Sequence, residues 1–338
     1  MQKKLIAIVV AAALAPAVAL ADTSNVTVYG KAHLSYDRVD NDAETGGFVS
    51  SNSSRIGFKG AEDLGDGLKA VWQYEAGVTM DQHATATAAR DAFVGLAGSF
   101  GAVTVGTQAF HNLYAHDANL FSDRIGAPSV WIDRGGRKGN SIKYATPNMS
   151  GFDASFTYFT EGGVTYTEAS QMAGGNDDDS FALKLNYSGG PLYVGVAYLD
   201  EDVAGTQEAL KSTSVAARYS FGDAAVVGQF VRYEETNDDD NDVFTLGGSY
   251  KMGNGTLKAQ YTTLAADQDN ADADMITVGY DYSLSKRTTV YALYSMADND
   301  DHNAMSVTGS GHGLSTAIGT PAMGKESSAF SVGMVHDF

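Results

Sequence analysis

A strict alternation of apolar and polar side chains, recurring in segments of about nine to eleven residues, constrains this chain more than any other feature. Val26, Val28, Gly30, Ala32, Leu34 and Tyr36 fall on one side of an extended segment, and Thr27, Tyr29, Lys31, His33, Ser35 and Asp37 on the other. Successive side chains of a strand point to opposite faces, so such a segment is a strand with one apolar and one polar face. The pattern returns where Phe152, Ala154, Phe156 and Tyr158 oppose Asp153, Ser155 and Thr157. It returns again where Ile276, Val278, Tyr280, Tyr282 and Leu284 oppose Thr277, Gly279, Asp281 and Ser283. These lengths match the roughly nine to eleven residues that a tilted strand needs to cross bilayer hydrocarbon.

The connections alternate between short and long. Tight ones occur at Asp63-Leu64-Gly65-Asp66-Gly67, Gly98-Ser99-Phe100-Gly101, Ser188-Gly189-Gly190-Pro191 and Phe221-Gly222-Asp223, with longer, acidic ones between. Counting strands between connections yields sixteen, the second starting near Arg55, with seven short turns and eight long loops. The segment from Ala224 to Glu234 alternates least clearly. An even count returns both termini to the short-turn side, and short turns on one side with long loops on the other mark an outer-membrane barrel rather than a soluble sandwich. The expected fold is all-β, a 16-stranded antiparallel transmembrane β-barrel.

The first residues stand apart from this pattern. Lys3-Lys4, the apolar run Leu5 to Leu14 and the A-x-A box Ala19-Leu20-Ala21 read as a signal peptide cleaved after Ala21, leaving 22–338 as one barrel domain. There are no cysteines, so no disulfide supports the fold. The formal net charge of −19 argues against nucleic acid as a partner. Thirty-eight glycines, eighteen tyrosines and fifteen phenylalanines against five prolines suit a long antiparallel sheet. The slightly negative mean hydropathy suits a barrel with a polar inner face.

One stretch lacks the alternation. From Gln108 to Gly139 about thirty residues run without period two, and connections of that length inside a compact domain are uncommon and usually functional. Phe110, Leu113, Tyr114, Leu120, Phe121, Val130 and Trp131 are interleaved there with Asp117, Asp123, Asp133, Arg124, Arg134 and Arg137. So many large apolar side chains need a surface to pack on, and in a closed barrel that surface is the bore. The loop is therefore expected to fold inward. At the other end of the chain, Phe330, Val332, Met334, His336 and the terminal Phe338 share one face of the last strand.

These segments resemble the general porins of Gram-negative bacteria. The likeness is carried by Val28-Tyr29-Gly30-Lys31, by Ser54-Arg55-Ile56-Gly57-Phe58-Lys59-Gly60 followed by Glu62 to Leu68, and by Ala92-Phe93-Val94-Gly95-Leu96. Gly101 to Gly106, Asn140-Ser141-Ile142-Lys143-Tyr144 and the terminal Phe338 complete it, although His336 stands where a tyrosine or aliphatic residue is usual. The resemblance implies a homotrimer of sixteen-stranded barrels in outer-membrane lipid and lipopolysaccharide, each with its third external loop folded inward. It implies passive diffusion of ions and small hydrophilic solutes. A substrate-specific channel for a sugar or organic anion is the alternative, since Tyr29, Phe110, Tyr114, Phe121 and Trp131 could line a sugar path.

In that family, basic residues on the barrel wall face acidic residues on the inward loop, and fixed charges at close quarters set ion selectivity. By motif, the wall residues here are Lys31, Arg55 and Arg90, with Arg137 the nearest substitute for a further basic residue where Gly139 stands. Lys31 and Arg55 have inward parity, and a charge on the lipid face at mid-membrane costs about 2–4 kcal/mol. Arg90 shares parity with Ala92, Val94 and Leu96, so it needs a bulge or a position above the membrane band. The acidic candidates on the loop are Asp117, Asp123 and Asp133.

Acidic runs such as Asp177-Asp178-Asp179, Asp238-Asp239-Asp240 and Asp267 to Asp274 are expected to enrich cations at the mouth, which points to a modest cation preference. They could associate weakly with Ca²⁺ or Mg²⁺, but no calcium-loop pattern is present and no cofactor is expected. An enzyme is not expected either. His111 and His116 have no metal-site spacing, and no Gly-x-Ser-x-Gly or His-Glu-x-x-His motif occurs.

Overall fold

The computed structural model describes residues 26–81, 89–109, 118–132, 136–160, 180–202, 209–234, 240–309 and 320–338. The expected signal peptide, Asp117 and Asp133, and the acidic runs at 177–179 and 238–239 lie outside them.

Seventeen extended segments form one antiparallel sheet that meets itself. In chain order they are β1 (Val26–Asp40), β2 (Thr45–Ser51), β3 (Arg55–Gly65), β4 (Leu68–Gly77), β5 (Ala89–Gly98), β6 (Gly101–Ala109) and β7 (Arg137–Ala145). There follow β8 (Phe152–Phe159), β9 (Ser180–Gly189), β10 (Leu192–Asp202), β11 (Ala209–Phe221), β12 (Ala224–Glu234) and β13 (Asp240–Met252). The last are β14 (Gly255–Ala265), β15 (Ala273–Ser283), β16 (Thr288–Asn299) and β17 (Ser327–Asp337). β2 and β3 both pair with β1, one along its outer half and one along its inner half, so they are two parts of one stave. The result is a closed sixteen-stranded barrel.

Closure falls between β17 and β1, which pair from Lys31 with Asp337 to Asp40 with Ser328. The terminal residue extends this seam by two backbone bonds, Gly30 N–H to the Phe338 carbonyl at 3.0 Å and Phe338 N–H to the Gly30 carbonyl at 3.1 Å. The Phe338 ring lies over Gly30, where a Cβ would fall 2.3 Å from it. Glycine at position 30 is thus a steric requirement of the seam.

The barrel is inside out relative to a water-soluble domain. Val28, Tyr74, Val94, Leu185, Leu246 and Met334 are all half exposed on its outside, a continuous apolar belt suited to lipid. The hydrophobic core instead lies in the bore. There Ala118, Leu120, Phe121, Ile125, Ala127, Trp131 and Ile132 of the long loop pack on Val227, Val231, Val243, Leu264, Met275, Leu293 and Ala297 of the wall. This explains the weak alternation of β12. Val226 and Phe230 face outward while Val227 and Val231 are fully buried beneath the loop, so both faces are apolar for different reasons.

Candidate functional site in the bore

Three departures from regular pairing place charge on the inner wall between β1 and β7. The first is the break between β2 and β3. Leu34 pairs with Ser51 and Lys31 with Arg55, so two residues of β1 oppose the three residues Asn52, Ser53 and Ser54. Ser53 turns the chain with φ 55. An inserted residue reverses which parity faces inward. Before the break Ser50 points into the bore, opposite Ser35; after it Arg55 does, opposite Lys31. The insertion is held by His33: Ser54 Oγ accepts from its N–H at 3.0 Å and donates to its carbonyl at 3.0 Å, while Asn52 N–H donates to that same carbonyl at 2.9 Å.

The second departure lies between β4 and β5. Tyr74 pairs with Ala92 but Ala76 with Ala89, so Arg90 and Asp91 together oppose Glu75. This is the bulge that Arg90 needed to escape its lipid-facing parity. Arg90 Nε donates to Glu75 Oε1, and Tyr29 OH donates to Glu75 Oε2 at 2.9 Å. The third lies between β6 and β7. Gly106 pairs with Ser141 and Gln108 with Lys138, leaving Thr107 opposite Gly139 and Asn140, the latter with φ 52. It sets Lys138 against Glu201 and lets Arg137 Nε reach Asp91 Oδ1 at 2.7 Å.

The loop closes the arrangement. Asp123, with φ 58, presents Oδ2 to Lys31 Nζ at 3.2 Å and to Arg55 Nη1 at 3.9 Å, while Arg55 Nε lies 3.9 Å from Glu75 Oε2. Lys31, Arg55, Arg90 and Asp123 therefore share one network with Glu75, which the sequence did not single out. Glu75 is a wall residue, so the acid facing these cations comes from the wall as well as from the loop. Its inward parity in the Leu68–Gly77 strand, opposite the lipid-facing Tyr74 and Ala76, was the available signal. Arg137 sits beside this network, on Asp91. Lys31, Arg55 and Asp123 keep about a fifth of their side-chain surface exposed, so each pair contributes on the order of 1 kcal/mol or less to stability and its main effect is to hold fixed charge beside the passage.

The other half of the wall holds the loop. Phe121 is fully buried over Gly279, where a Cβ would meet its ring at 2.9 Å, so only glycine lets the loop lie this close. Arg124 Nη1 and Nη2 donate to Asp281 Oδ1 and Oδ2 at 2.6 and 3.2 Å, and the guanidinium stacks 4.0 Å over the Tyr291 ring. Lys258 Nζ reaches Asp281 Oδ2 at 2.6 Å and donates to the Leu120 carbonyl at 2.9 Å. Gln260 Oε1 accepts from Leu120 N–H at 3.0 Å, and Thr277 Oγ1 donates to the Gly126 carbonyl at 2.9 Å. Arg124 stands among the loop cations in sequence, yet it faces the wall and not the passage. Burying Phe121 alone is worth about 1.5–3 kcal/mol.

A closed antiparallel barrel, apolar outside and charged within, with one connection folded across its bore, defines a membrane channel of the outer-membrane type. A model of the Gram-negative porin family matches residues 7–302, and the chain belongs to that family. It is a porin of the outer membrane of a Gram-negative bacterium. It is 30% identical to outer membrane porin protein 32 of Delftia acidovorans, over 100% of both chains. It is 28% identical to the major outer membrane protein P.IB of Neisseria gonorrhoeae, over 86% of this chain and 91% of that one. Among solved structures it resembles the anion-selective porin from Comamonas acidovorans with a TM-score of 0.74 and 25% identity, over 93% of this chain and 99% of that one.

Proposed function

We propose that the protein is a general diffusion porin that passes ions and small hydrophilic solutes through a narrowing between loop residues 118–132 and the wall at Lys31, Arg55, Glu75 and Arg90. The network joining Lys31 and Arg55 to Asp123 carries this reading, because it fixes charges of both signs side by side at the edge of the narrowing. Assembly as a homotrimer is part of the proposal, and chemical cross-linking in detergent is its check.

The charge balance of the bore favours anions. Among the described strand residues, Lys31, Arg55, Lys59, Lys69, Arg90, Lys138, Lys143, Lys184, Arg218, Lys251 and Lys258 face inward and outnumber Asp37, Asp63, Glu75, Asp91, Asp153, Glu201, Asp281 and Asp337, and the loop adds Arg124 and Asp123, one of each sign. The acidic outer loops argue for cations, but they act in open water where a Debye length of about 8 Å limits their reach. The wall charges act at the narrowest section, where selectivity is set. The anion-selective relative of similar fold supports this sign.

Reversal potentials across a salt gradient, recorded on the purified protein in planar bilayers, test the proposal. Anion preference with flux linear in solute concentration is expected. Cation preference would overturn the sign, and saturable flux blocked by one solute would replace the general pore with a specific channel.

A further inference from the structure

Residues 303–309, which follow β16 on the external side, also turn into the bore. Val307 is fully buried, and Ser306 and Thr308 nearly so. The contact is with the narrowing loop. Gly126 N–H donates to the Val307 carbonyl at 2.8 Å, and Trp131 Nε1–H donates to the Ser306 carbonyl at 2.9 Å. Gly309 lies against Val130 so closely that a Cβ there would be 2.8 Å from the Val130 Cβ. The segment is in turn fixed to the barrel rim. Asn299 Oδ1 accepts from Met305 N–H at 2.7 Å while its Nδ2 donates to the Met305 and Lys325 carbonyls at 3.0 and 2.7 Å. Ser327 Oγ accepts from Val307 N–H at 3.2 Å and donates to Asn41 Oδ1 at 2.7 Å.

We infer that this segment is a buttress that holds the narrowing loop in its seat on β12–β16 and so keeps the remainder of the bore open. The direction follows from packing. The described loop residues rest on β12–β16 through their apolar side chains and reach β1 through the Asp123–Lys31 pair, so a loop that leaves this seat moves into the rest of the bore. Two carbonyls of the buttress take donors from the loop, Gly126 N–H and Trp131 Nε1–H, for which no other protein acceptor is in reach among the described residues. Val307 closes the loop's apolar core from the outside. Residues 303–309 therefore control how long the pore stays open, acting through the loop. Trp131, Asn299 and Val307 are its positioning residues.

This inference rests on the porin reading above, and the experiment separates the two. Single-channel currents of the full-length protein are recorded against voltage for the native chain, Val307→Asp and Trp131→Phe, with heat-modifiable gel migration reporting folding. If the native protein forms no conducting pore, the porin reading fails and the buttress with it. If it conducts, both variants are expected to close at lower voltage, with open lifetimes shortened by about tenfold in Trp131→Phe for the loss of one buried hydrogen bond and by more in Val307→Asp, which buries a carboxylate in an apolar core. Val307→Ile should keep native gating. Unchanged closing voltage and lifetimes in both Val307→Asp and Trp131→Phe, with both folded, would overturn the buttress.

Discussion

The wall from β1 to β7 and the wall from β11 to β17 are built on opposite rules. Along the first, the ladder breaks step at Asn52–Ser54, at Arg90–Asp91 and at Gly139–Asn140, all near the level where the narrowing loop meets the wall. Along the second, every pairing runs from end to end without a shift. Regular pairing assigns each side chain to bore or lipid by parity alone, so adjacent charges cannot both face inward unless a residue is inserted. The charged side uses insertions to gather Arg55, Arg90, Asp91 and Lys138 on one patch. The docking side needs a smooth surface for Phe121 and Ile125, and it provides glycine, valine and leucine in unbroken register. Irregularity aims charge here, and regularity seats the loop.

The strongest test of this contrast is to remove one insertion. Deleting Ser53 would slip the register by one and turn either the β2 or the β3 side chains to the wrong face. No heat-modifiable folded form is expected on gels. A folded barrel with native conductance would show that the break is incidental.

On the docking side, Asp281→Asn leaves Arg124 and Lys258 close together without their shared carboxylate. Breaking such a buried pair costs about 3–5 kcal/mol, and urea unfolding in detergent should reveal the loss. A loss below about 1 kcal/mol would place the anchoring of the loop in its apolar contacts instead.

On the charged side, Glu75→Gln removes one negative charge from between Arg55 and Arg90. The reversal potential is expected to shift further toward anions, and a shift toward cations would show that Glu75 does not face the passage. A smaller effect is expected from Thr277→Val, which removes the bond to the Gly126 carbonyl at a cost of about 1 kcal/mol in unfolding free energy. Smallest of all is Arg232→Ala on the outer rim. Its paired contacts with Asp242 at 2.7 Å are exposed, and removing such a pair should change stability by less than about 1 kcal/mol.

The alternating segments were legible in sequence because lipid outside and water inside enforce a period of two on nearly every strand. Lys31 and Arg55 were legible for the same reason, and the loop because it lacks that period. Arg90 was legible only as a conflict between motif and parity, and its resolution required the pairing of Ala76 with Ala89. The extension of the second stave back to Thr45 was missed, since a strand that changes face midway reads as two short, unrelated pieces.

By itself, then, the amino-acid order determined a closed barrel, its strand count and the loop that enters it, since those follow from local periodicity and the length of each segment. Tertiary structure alone decided what the charges face. Glu75 meets Arg90, Asp123 meets Lys31, Arg124 turns away to Asp281, and Val307 comes back to cover Gly126. The partners in these contacts lie 15 to 181 residues apart in the chain, and only closure of the sheet brings them within reach.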